Sequence, residues 1–441
     1  MSTLLRRWLP EISFLRKLSI LAGGTLVGQA LVVLSSPLLT RFFTPEEFGV
    51  FAVFAALAVI LATSGALRFE FAVLVAADDE DAAALVMVTI VVAAAVALLQ
   101  AFLIWHLEGW FVAVVDTPAL GGWLWLLPPV TFTWCMGSAL AQWSIRCNTY
   151  AVNGFNRTLQ LGSQAGGQVI LGLLGAGAPG LIIGYVGGYV VMVVHYLRYL
   201  PTSDRLLFLS RRPAALWRNA RMHWRYPAFA FPSGLLHSSC DLAPVFLIAA
   251  LYGPTMAGWY GLGQRVLAMP MQMLSQVASQ IFLGETRGLD GAALYRLFLR
   301  TLTLFIGLGV LGMLPLLLYG PELFALVFGE PWRDAGLIVQ LLVPLYLVRF
   351  IVQPVSQLLY ALKRQALHLL SAGFNALALI ASFGAGYAFQ LDAYATILLY
   401  SLTSSLAFLF YLGISWHLAR QGKGAAHFAP PSHKSGPQFP S

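Results

Sequence analysis

The chain contains 441 residues, of which 59% are hydrophobic and 10% are charged, and its mean hydropathy is +0.77. Soluble domains carry about 25% charged residues, so this composition excludes a water-soluble globular protein and predicts an integral membrane protein. The net charge of +8 does not indicate nucleic-acid binding, because the basic residues lie between apolar runs and not along one polar face.

Apolar runs long enough to cross a bilayer alternate with short connectors along the chain. The first run is too long to be the apolar region of a cleavable signal peptide, about 7–15 residues, and is expected to be a span. We predict an all-α polytopic membrane protein with about twelve transmembrane helices. They cover residues 18–39, 47–67, 82–105, 121–143, 158–177, 179–197, 228–250, 256–281, 301–320, 335–361, 367–389 and 393–417.

The basic residues predict the orientation and the domain organisation. Most of the 26 Lys and Arg residues fall in connectors of one side if the N-terminus is cytoplasmic, as the positive-inside rule requires. Both termini are then expected in the cytoplasm. We predict an N-terminal six-helix lobe at 1–200, a basic cytoplasmic connector at 201–226, a C-terminal six-helix lobe at 227–420 and a disordered cytoplasmic tail at 421–441.

An internal repeat relates the two predicted lobes. Pro254 and Gly258 follow Pro45 and Gly49 by 209 positions in turns of similar sequence, and a second register of 215 positions relates the fourth span to the tenth. Each lobe has an even number of spans, so the repeats are expected to be parallel and related by an axis along the membrane normal. The expected substrate site is a central cavity between the lobes.

Charged residues are predicted deep inside spans of the second half, where they are costly unless they face protein or water. Arg265 and Arg349 are expected near mid-depth, with Gln353 and Gln357 on the helix face of Arg349. Two guanidinium groups suit an anionic ligand, because each offers a planar set of donors to phosphate or carboxylate oxygens. An internal ion pair between Arg265 and Asp241 is the alternative.

Asp241, with His237 one helical turn away, is the predicted site of ion coupling, and a packed, hydrogen-bonded histidine is the alternative for His237. The matching stripe of the first half is uncharged and contains Gln29, Gln160 and Gln164. These glutamines are expected either to line the cavity or to join helices through hydrogen bonds.

The remaining polar groups are expected to have local roles. Arg157 is assigned to a cytoplasmic connector, and Glu70 to a local pair with Arg68 or an interface anchor. The acidic run 78–81 is predicted to begin a helix and not to bind a metal. Neither a cofactor nor a metal site is expected, since the chain has no nucleotide-binding or metalloprotease motif in a suitable context.

The hairpin FFTPEEFGVFAVFAALAVILATSGALRFEFAVLV resembles bacterial polysaccharide flippases of the Wzx type, in the multidrug/oligosaccharidyl-lipid/polysaccharide exporter superfamily. The similarity rests on the turn at 44–49 and on the sequence Arg68-Phe69-Glu70. The seventh and eighth spans also match the family succession at Asp241, Gly258, Tyr260, Arg265 and Pro270. One departure is the number of spans, since some relatives have fourteen.

The resemblance implies a V-shaped pair of six-helix lobes around a cavity that moves a polyprenyl-pyrophosphate-linked oligosaccharide from the cytoplasmic to the periplasmic leaflet. Arg265 and Arg349 would receive the pyrophosphate or acidic sugars. The implied partners are this lipid-linked oligosaccharide, membrane lipids, a coupling proton or sodium ion, and a polysaccharide polymerase or synthesis complex. The implied location is the bacterial inner membrane, in O-antigen or exopolysaccharide synthesis.

Two other functions are compatible with parts of the sequence. A cation-coupled multidrug exporter of the same superfamily would require acidic cavity residues, and the two deep arginines argue against it. A membrane glycosyltransferase or polymerase acting on lipid-linked sugars would require a sizeable periplasmic loop with catalytic groups. The outer connectors, at about 106–120 and 321–334, are short, so a transporter is favoured over an enzyme.

Overall fold

The computed structural model describes residues 12–115, 117–210, 212–286, 291–356, 358 and 365–421. In these residues the secondary structure is helical, without β-strands. The α-helices are α1 (Ile12–Phe42), α2 (Pro45–Gly65), α3 (Asp79–Val115), α4 (Leu127–Arg146), α5 (Tyr150–Leu173), α6 (Ala178–Tyr199), α7 (Thr202–Leu209), α8 (Pro213–Met222), α9 (Phe231–Tyr252), α10 (Pro254–Glu285), α11 (Gly291–Phe328), α12 (Arg333–Val355), α13 (Gln365–Ala388) and α14 (Ala393–Gln421).

The long helices confirm the predicted all-α polytopic membrane protein. Each of the twelve predicted spans overlaps one helix of at least 20 residues. Ten of the described helices are apolar and long enough to cross a membrane, and α13 adds a shorter apolar stretch, Gly373–Ala388. The helix α5 is outside these ten because it is polar: it carries Asn153, Asn156, Arg157, Gln160, Gln164 and Gln168. The chain is therefore a multi-pass membrane protein.

The turn before α2 ends one helix and begins the next through its own side chains. Thr44 is the N-cap of α2, and its hydroxyl group accepts a hydrogen bond from the backbone N–H of Glu47 at 3.3 Å. The Glu47 carboxylate in turn accepts one from the backbone N–H of Thr44 at 2.8 Å. This reciprocal pair is a capping box, and Pro45 at the first helical position is already restricted to a helical φ.

The described residues form two compact units. One contains the chain up to Leu262 together with Phe324–Ala335, and the other contains Gly263–Leu323 and the chain from Gly336 onward. The predicted lobes at 1–200 and 227–420 follow the sequence repeat, and they remain a prediction.

The connector between α6 and α9 is folded onto the first unit. The indole N–H of Trp143 in α4 donates to Asp204 of α7 at 2.9 Å. Arg218 and Asn219 of α8 both donate to Asp81 at the start of α3, at 2.7 and 3.0 Å. The acidic run therefore begins a helix, as the sequence predicts, and one of its carboxylates also holds the basic connector in place.

Candidate functional site

The first unit contains a buried polar face on α5 that packs against α1 and α6. Gln160 and Gln164 are buried there, as expected for residues that face protein. The amide of Gln168, one turn further, donates to the carbonyl oxygen of Leu181 in α6 at 2.9 Å. The hydroxyl group of Thr158 donates to the carbonyl oxygen of Gly24 in α1 at 2.7 Å. Side-chain hydrogen bonds of Thr158 and Gln168 therefore join α5 to both neighbours.

Hydrogen bonding between helices does not use all the polar atoms on this face. The Nε2 atom of Gln160 has no hydrogen-bond partner in the described residues, although the side chain is fully buried. Gln29 of α1 is half-buried, and its Oε1 atom is likewise unpartnered there. Buried amide groups without partners are costly, so these atoms have bonding capacity for water or a polar ligand.

Arg157 corrects the expectation of an uncharged first half. The residue lies about two turns inside α5 and is half-buried, whereas the sequence assigned it to a connector. Its Nη1 atom donates to Oε1 of Gln160 at 2.6 Å, and Tyr189 of α6 lies near this pair. Tyr189 is stacked on Trp134 of α4, with ring centroids 4.7 Å apart. The first unit thus presents a guanidinium group framed by amide and aromatic side chains.

A signal for Arg157 was present in the sequence. Asn153, Asn156, Arg157 and Gln160 follow one another at spacings of three, one and three residues, which places them on one helix face. The apolar-run criterion starts the fifth span at 158 because it discards polar residues. That criterion fails where the polar face of a helix is itself buried.

The second unit holds the two predicted arginines. Arg265 lies in α10 and is buried, with 8% of its surface exposed. Arg349 lies in α12 and is half-buried, and its guanidinium carbon is 6.0 Å from the ring centroid of Phe408 in α14. Gln353 is half-buried one turn from Arg349, and Gln357 lies outside the described residues. Anion binding by these residues remains a prediction.

The predicted coupling pair lies on α9 of the first unit. The Nε2 atom of His237 is 3.8 Å from Oδ2 of Asp241, and the two side chains are 75% and 33% exposed. His237 is thus exposed and Asp241 partly exposed on this helix, and ion coupling by the pair remains a prediction.

The N-terminal end of α2 packs directly against the repeat-related N-terminal end of α10. A methyl group at Gly49 would overlap the carbonyl oxygen of Pro254, and one at Gly258 would overlap that of Pro45. The helices α2 and α10 thus cross at repeat-equivalent residues, Gly49 and Gly258. Only glycine permits so close an approach of the two backbones. Trp332 covers the crossing: its ring lies 4.9 Å from that of Phe48, and its indole N–H donates to the carbonyl oxygen of Thr40 at 3.2 Å.

Among the described residues, no cluster of three His, Cys, Asp or Glu side chains could hold a metal ion. Besides their apolar core, the long helices hold polar and cationic side chains at buried or half-buried positions. Such groups mark substrate or ion pathways in membrane proteins. The fold and these faces together define the class of polytopic membrane transporters and flippases.

Comparison with known families agrees with this class. The model of the polysaccharide biosynthesis protein family matches residues 38–336, and the chain belongs to this family. No curated protein matches the sequence.

Solved transporter structures share the fold. The lipid II flippase MurJ, in an inward closed conformation, has a TM-score of 0.66 and 10% identity, over 91% of this chain and 90% of its own. An inward-facing multidrug resistance MATE family transporter of the MOP superfamily has a TM-score of 0.59 and 13% identity, over 90% and 95%. A MOP superfamily transporter from Pyrococcus furiosus has a TM-score of 0.53 and 12% identity, over 92% of this chain and 96% of its own. These neighbours are transporters and a flippase, not enzymes.

Proposed function

We propose that the protein flips a polyprenyl-pyrophosphate-linked oligosaccharide from the cytoplasmic to the periplasmic leaflet by alternating access. The observation that carries this proposal is a set of guanidinium groups held, buried or half-buried, within the long helices of a polysaccharide biosynthesis family member. A pyrophosphate is the anion that such a substrate brings into the bilayer, and arginine binds phosphate oxygens through paired N–H donors.

Each polar group has a part in this proposal. Arg265 and Arg349 bind the pyrophosphate, together with Gln353 and Gln357. The amides of Gln29, Gln160 and Gln164 bind sugar hydroxyl groups, which both donate and accept hydrogen bonds as amides do. The polyprenyl tail stays among the membrane lipids, because removing so much apolar surface from lipid would bring no gain.

Coupling to a proton or sodium gradient is assigned to Asp241 with His237. The partial exposure of the Asp241 carboxylate supports this role, since a coupling ion has to reach it. We place the protein in the bacterial inner membrane with both termini in the cytoplasm, working with a polysaccharide polymerase or synthesis complex on an O-antigen or exopolysaccharide repeat unit.

The test is flipping of fluorescent undecaprenyl-pyrophosphate-linked oligosaccharide in proteoliposomes with an imposed ion gradient. Arg349→Ala removes a charge-assisted hydrogen bond worth about 1.5–3 kcal/mol, so we expect the flipping rate to fall roughly 10–100-fold. Arg349→Lys keeps the charge but not the paired donors, and it should restore part of the rate. Wild-type flipping by Arg349→Ala would remove this residue from the mechanism.

A multidrug exporter is the second candidate, because multidrug transporters are among the proteins that share the fold. Cationic drugs would be repelled by Arg157, Arg265 and Arg349, so the charges favour an anionic substrate. Efflux of ethidium from the same proteoliposomes decides between the two functions. Ethidium efflux without flipping of the lipid-linked oligosaccharide would replace the proposal.

A further inference from the structure

Glu70 is a buried carboxylate that the polar faces of the site do not use. It lies in the 3-10 segment Phe69–Leu74, between α2 and α3 and outside the membrane-spanning helices. Its side chain is 7% exposed, and Oε1 is 3.7 Å from Nη1 of Arg68, which is too far for a hydrogen bond. Its Oε2 atom has no hydrogen-bond partner in the described residues. A buried carboxylate held this loosely is more stable neutral than ionised.

The surroundings of Glu70 also favour the protonated form of its carboxyl group. The segment packs on α3, on α4 and on the Tyr226–Ala230 segment that precedes α9. The ionisable group that acts on the carboxylate is Arg68. The segment is also contacted by Arg146 of α4, which donates to the carbonyl oxygen of Val73 at 3.2 Å and pairs with Asp79 of α3, and the Cys135 thiol of α4 lies near Glu70. Burial raises the pKa of Glu70, and the opposing effects of its own backbone N–H and of Arg68 are smaller. The protonated form is therefore favoured while the segment is packed, and exposure to water favours proton release.

Arg68 connects this segment to α9. Its guanidinium group lies against Gly234, where any larger side chain would overlap it, and it stands 5.4 Å from the ring centroid of Phe71. Arg68 also has a left-handed backbone conformation, with φ at 65°, which is uncommon for a residue other than glycine. The local backbone is thus held in an unusual form that directs the arginine to α9.

The contact joins the two sequence repeats. Glu70 and Arg68 belong to the first repeat, and α9 is the first helix of the second. Alternating access works by movement of one repeat against the other, so a contact between them is made and broken in each cycle. Opening this contact, together with the packing of the Tyr226–Ala230 segment on Phe69–Leu74, would remove part of the cover from Glu70.

We propose that Glu70 is a proton-binding site, additional to the Asp241–His237 pair, that takes up a proton when the Phe69–Leu74 segment closes on α9 and releases it when this contact opens. The inference rests on the proposed alternating-access transport. It assigns the closed contact to low pH and the open contact to high pH, because the ionised carboxylate is stable only when water reaches it.

The experiment measures this contact directly, without substrate. Nitroxide labels at Val75→Cys and Leu236→Cys, both exposed positions, report the separation of the segment from α9 in nanodiscs. The native residues Cys135, Cys147 and Cys240 are replaced by Ala in this background. In the protein with Glu70 intact, pulsed electron paramagnetic resonance should show a growing long-distance population as pH rises from below to well above the ordinary carboxyl pKa. Glu70→Gln, which mimics the neutral acid, should keep the short distance throughout.

Controls separate proton binding from a structural role. Glu46→Gln makes the same chemical change at an exposed residue of α2 and should leave the pH response intact. The infrared C=O band of a protonated carboxyl group should be present in the closed protein and absent in Glu70→Gln. Glu70→Asp, a second variant, should keep a pH response with a shifted midpoint. An unchanged pH response in Glu70→Gln would overturn the proposal, whereas a normal response in a protein that flips no lipid would overturn only the proposed function.

Discussion

A guanidinium group inside a membrane helix is stabilised only where polar partners or water replace the hydration that it loses. Arg157 is bonded to the neutral side chain of Gln160, and no carboxylate pairs with it in the part of the chain that the structure describes. Its charge is therefore solvated but not neutralised. That leaves it able to bind an anionic group of the substrate, a role that would add to the one proposed for Arg265 and Arg349.

We therefore expect Arg157→Ala to reduce flipping of the lipid-linked oligosaccharide roughly 10–100-fold, because a charge-assisted hydrogen bond to phosphate is worth about 1.5–3 kcal/mol. Arg157→Lys should recover part of the rate. Flipping in proteoliposomes is the measurement, and Arg221→Ala, at an exposed arginine of α8, is the matched control. Equal rates for Arg157→Ala and Arg221→Ala would mean that Arg157 only joins helices.

The burial of a residue was predictable from the sequence where it depends on the helical spacing of nearby residues. Burial of Gln160 and Gln164 follows from their helical spacing within an apolar segment. The burial of Glu70 does not, because the sequence places Arg68 beside it and says nothing of the distant elements that cover the segment. The same holds for Trp332, whose partners Thr40 and Phe48 are almost 300 positions away in the chain.

The N-terminal end of helix α2 combines a local capping motif with a long-range packing contact. The capping box at Thr44 is readable in the sequence as Thr-Pro-Glu-Glu, and it satisfies backbone groups at the helix start. The crossing at Gly49 is different. The 209-position repeat makes Gly49 and Gly258 equivalent, but it does not reveal that equivalent residues touch each other, since a periodic pattern carries no information on packing between copies.

Thr44→Ala tests the capping box. Loss of an N-cap side chain costs about 1 kcal/mol, so we expect a lower Tm of the detergent-solubilised protein with the fold retained. Thr303→Ala is the control, because Thr303 is exposed in α11 and its hydroxyl group donates to a carbonyl oxygen of its own helix, that of Leu299 at 2.9 Å. A Tm for Thr44→Ala equal to that of the control would show that the turn is fixed by Pro45 and packing alone.

Gly49→Ala tests the crossing. The added methyl group cannot coexist with the carbonyl oxygen of Pro254, so α2 and α10 must separate at this end. We expect a cysteine at Val53, which is fully buried one turn away, to react with maleimide several-fold faster in the Gly49→Ala background. Gly109→Ala, where nothing lies within 4 Å of an added methyl group, should leave the rate unchanged. Unchanged labelling in Gly49→Ala would mean that the crossing of α2 and α10 does not keep reagent away from position 53.

Membrane residence of the whole molecule follows from composition, and the number of long helices follows from the apolar runs. Composition fixes these features because a bilayer requires about 20 apolar residues for each crossing. It does not reveal how a polar helix is accommodated. The structure supplies the reason for α5: its amides and Arg157 bond to neighbouring helices and to each other, which lowers the cost of polar groups in lipid.

Whether α5 crosses the membrane decides the orientation of every helix that follows it in the chain. If α5 crosses the membrane, the exposed turns at Asn148 and Gly175, which precede and follow it, lie on opposite sides. With the N-terminus in the cytoplasm, alkaline phosphatase inserted at Gly175 should be active and the same insertion at Asn148 inactive. A fusion at the C-terminus should be inactive, because twelve crossings return the chain to the cytoplasm. Equal activities at Asn148 and Gly175 would mean that α5 does not span, and would invert the orientation of α6 and of each later helix.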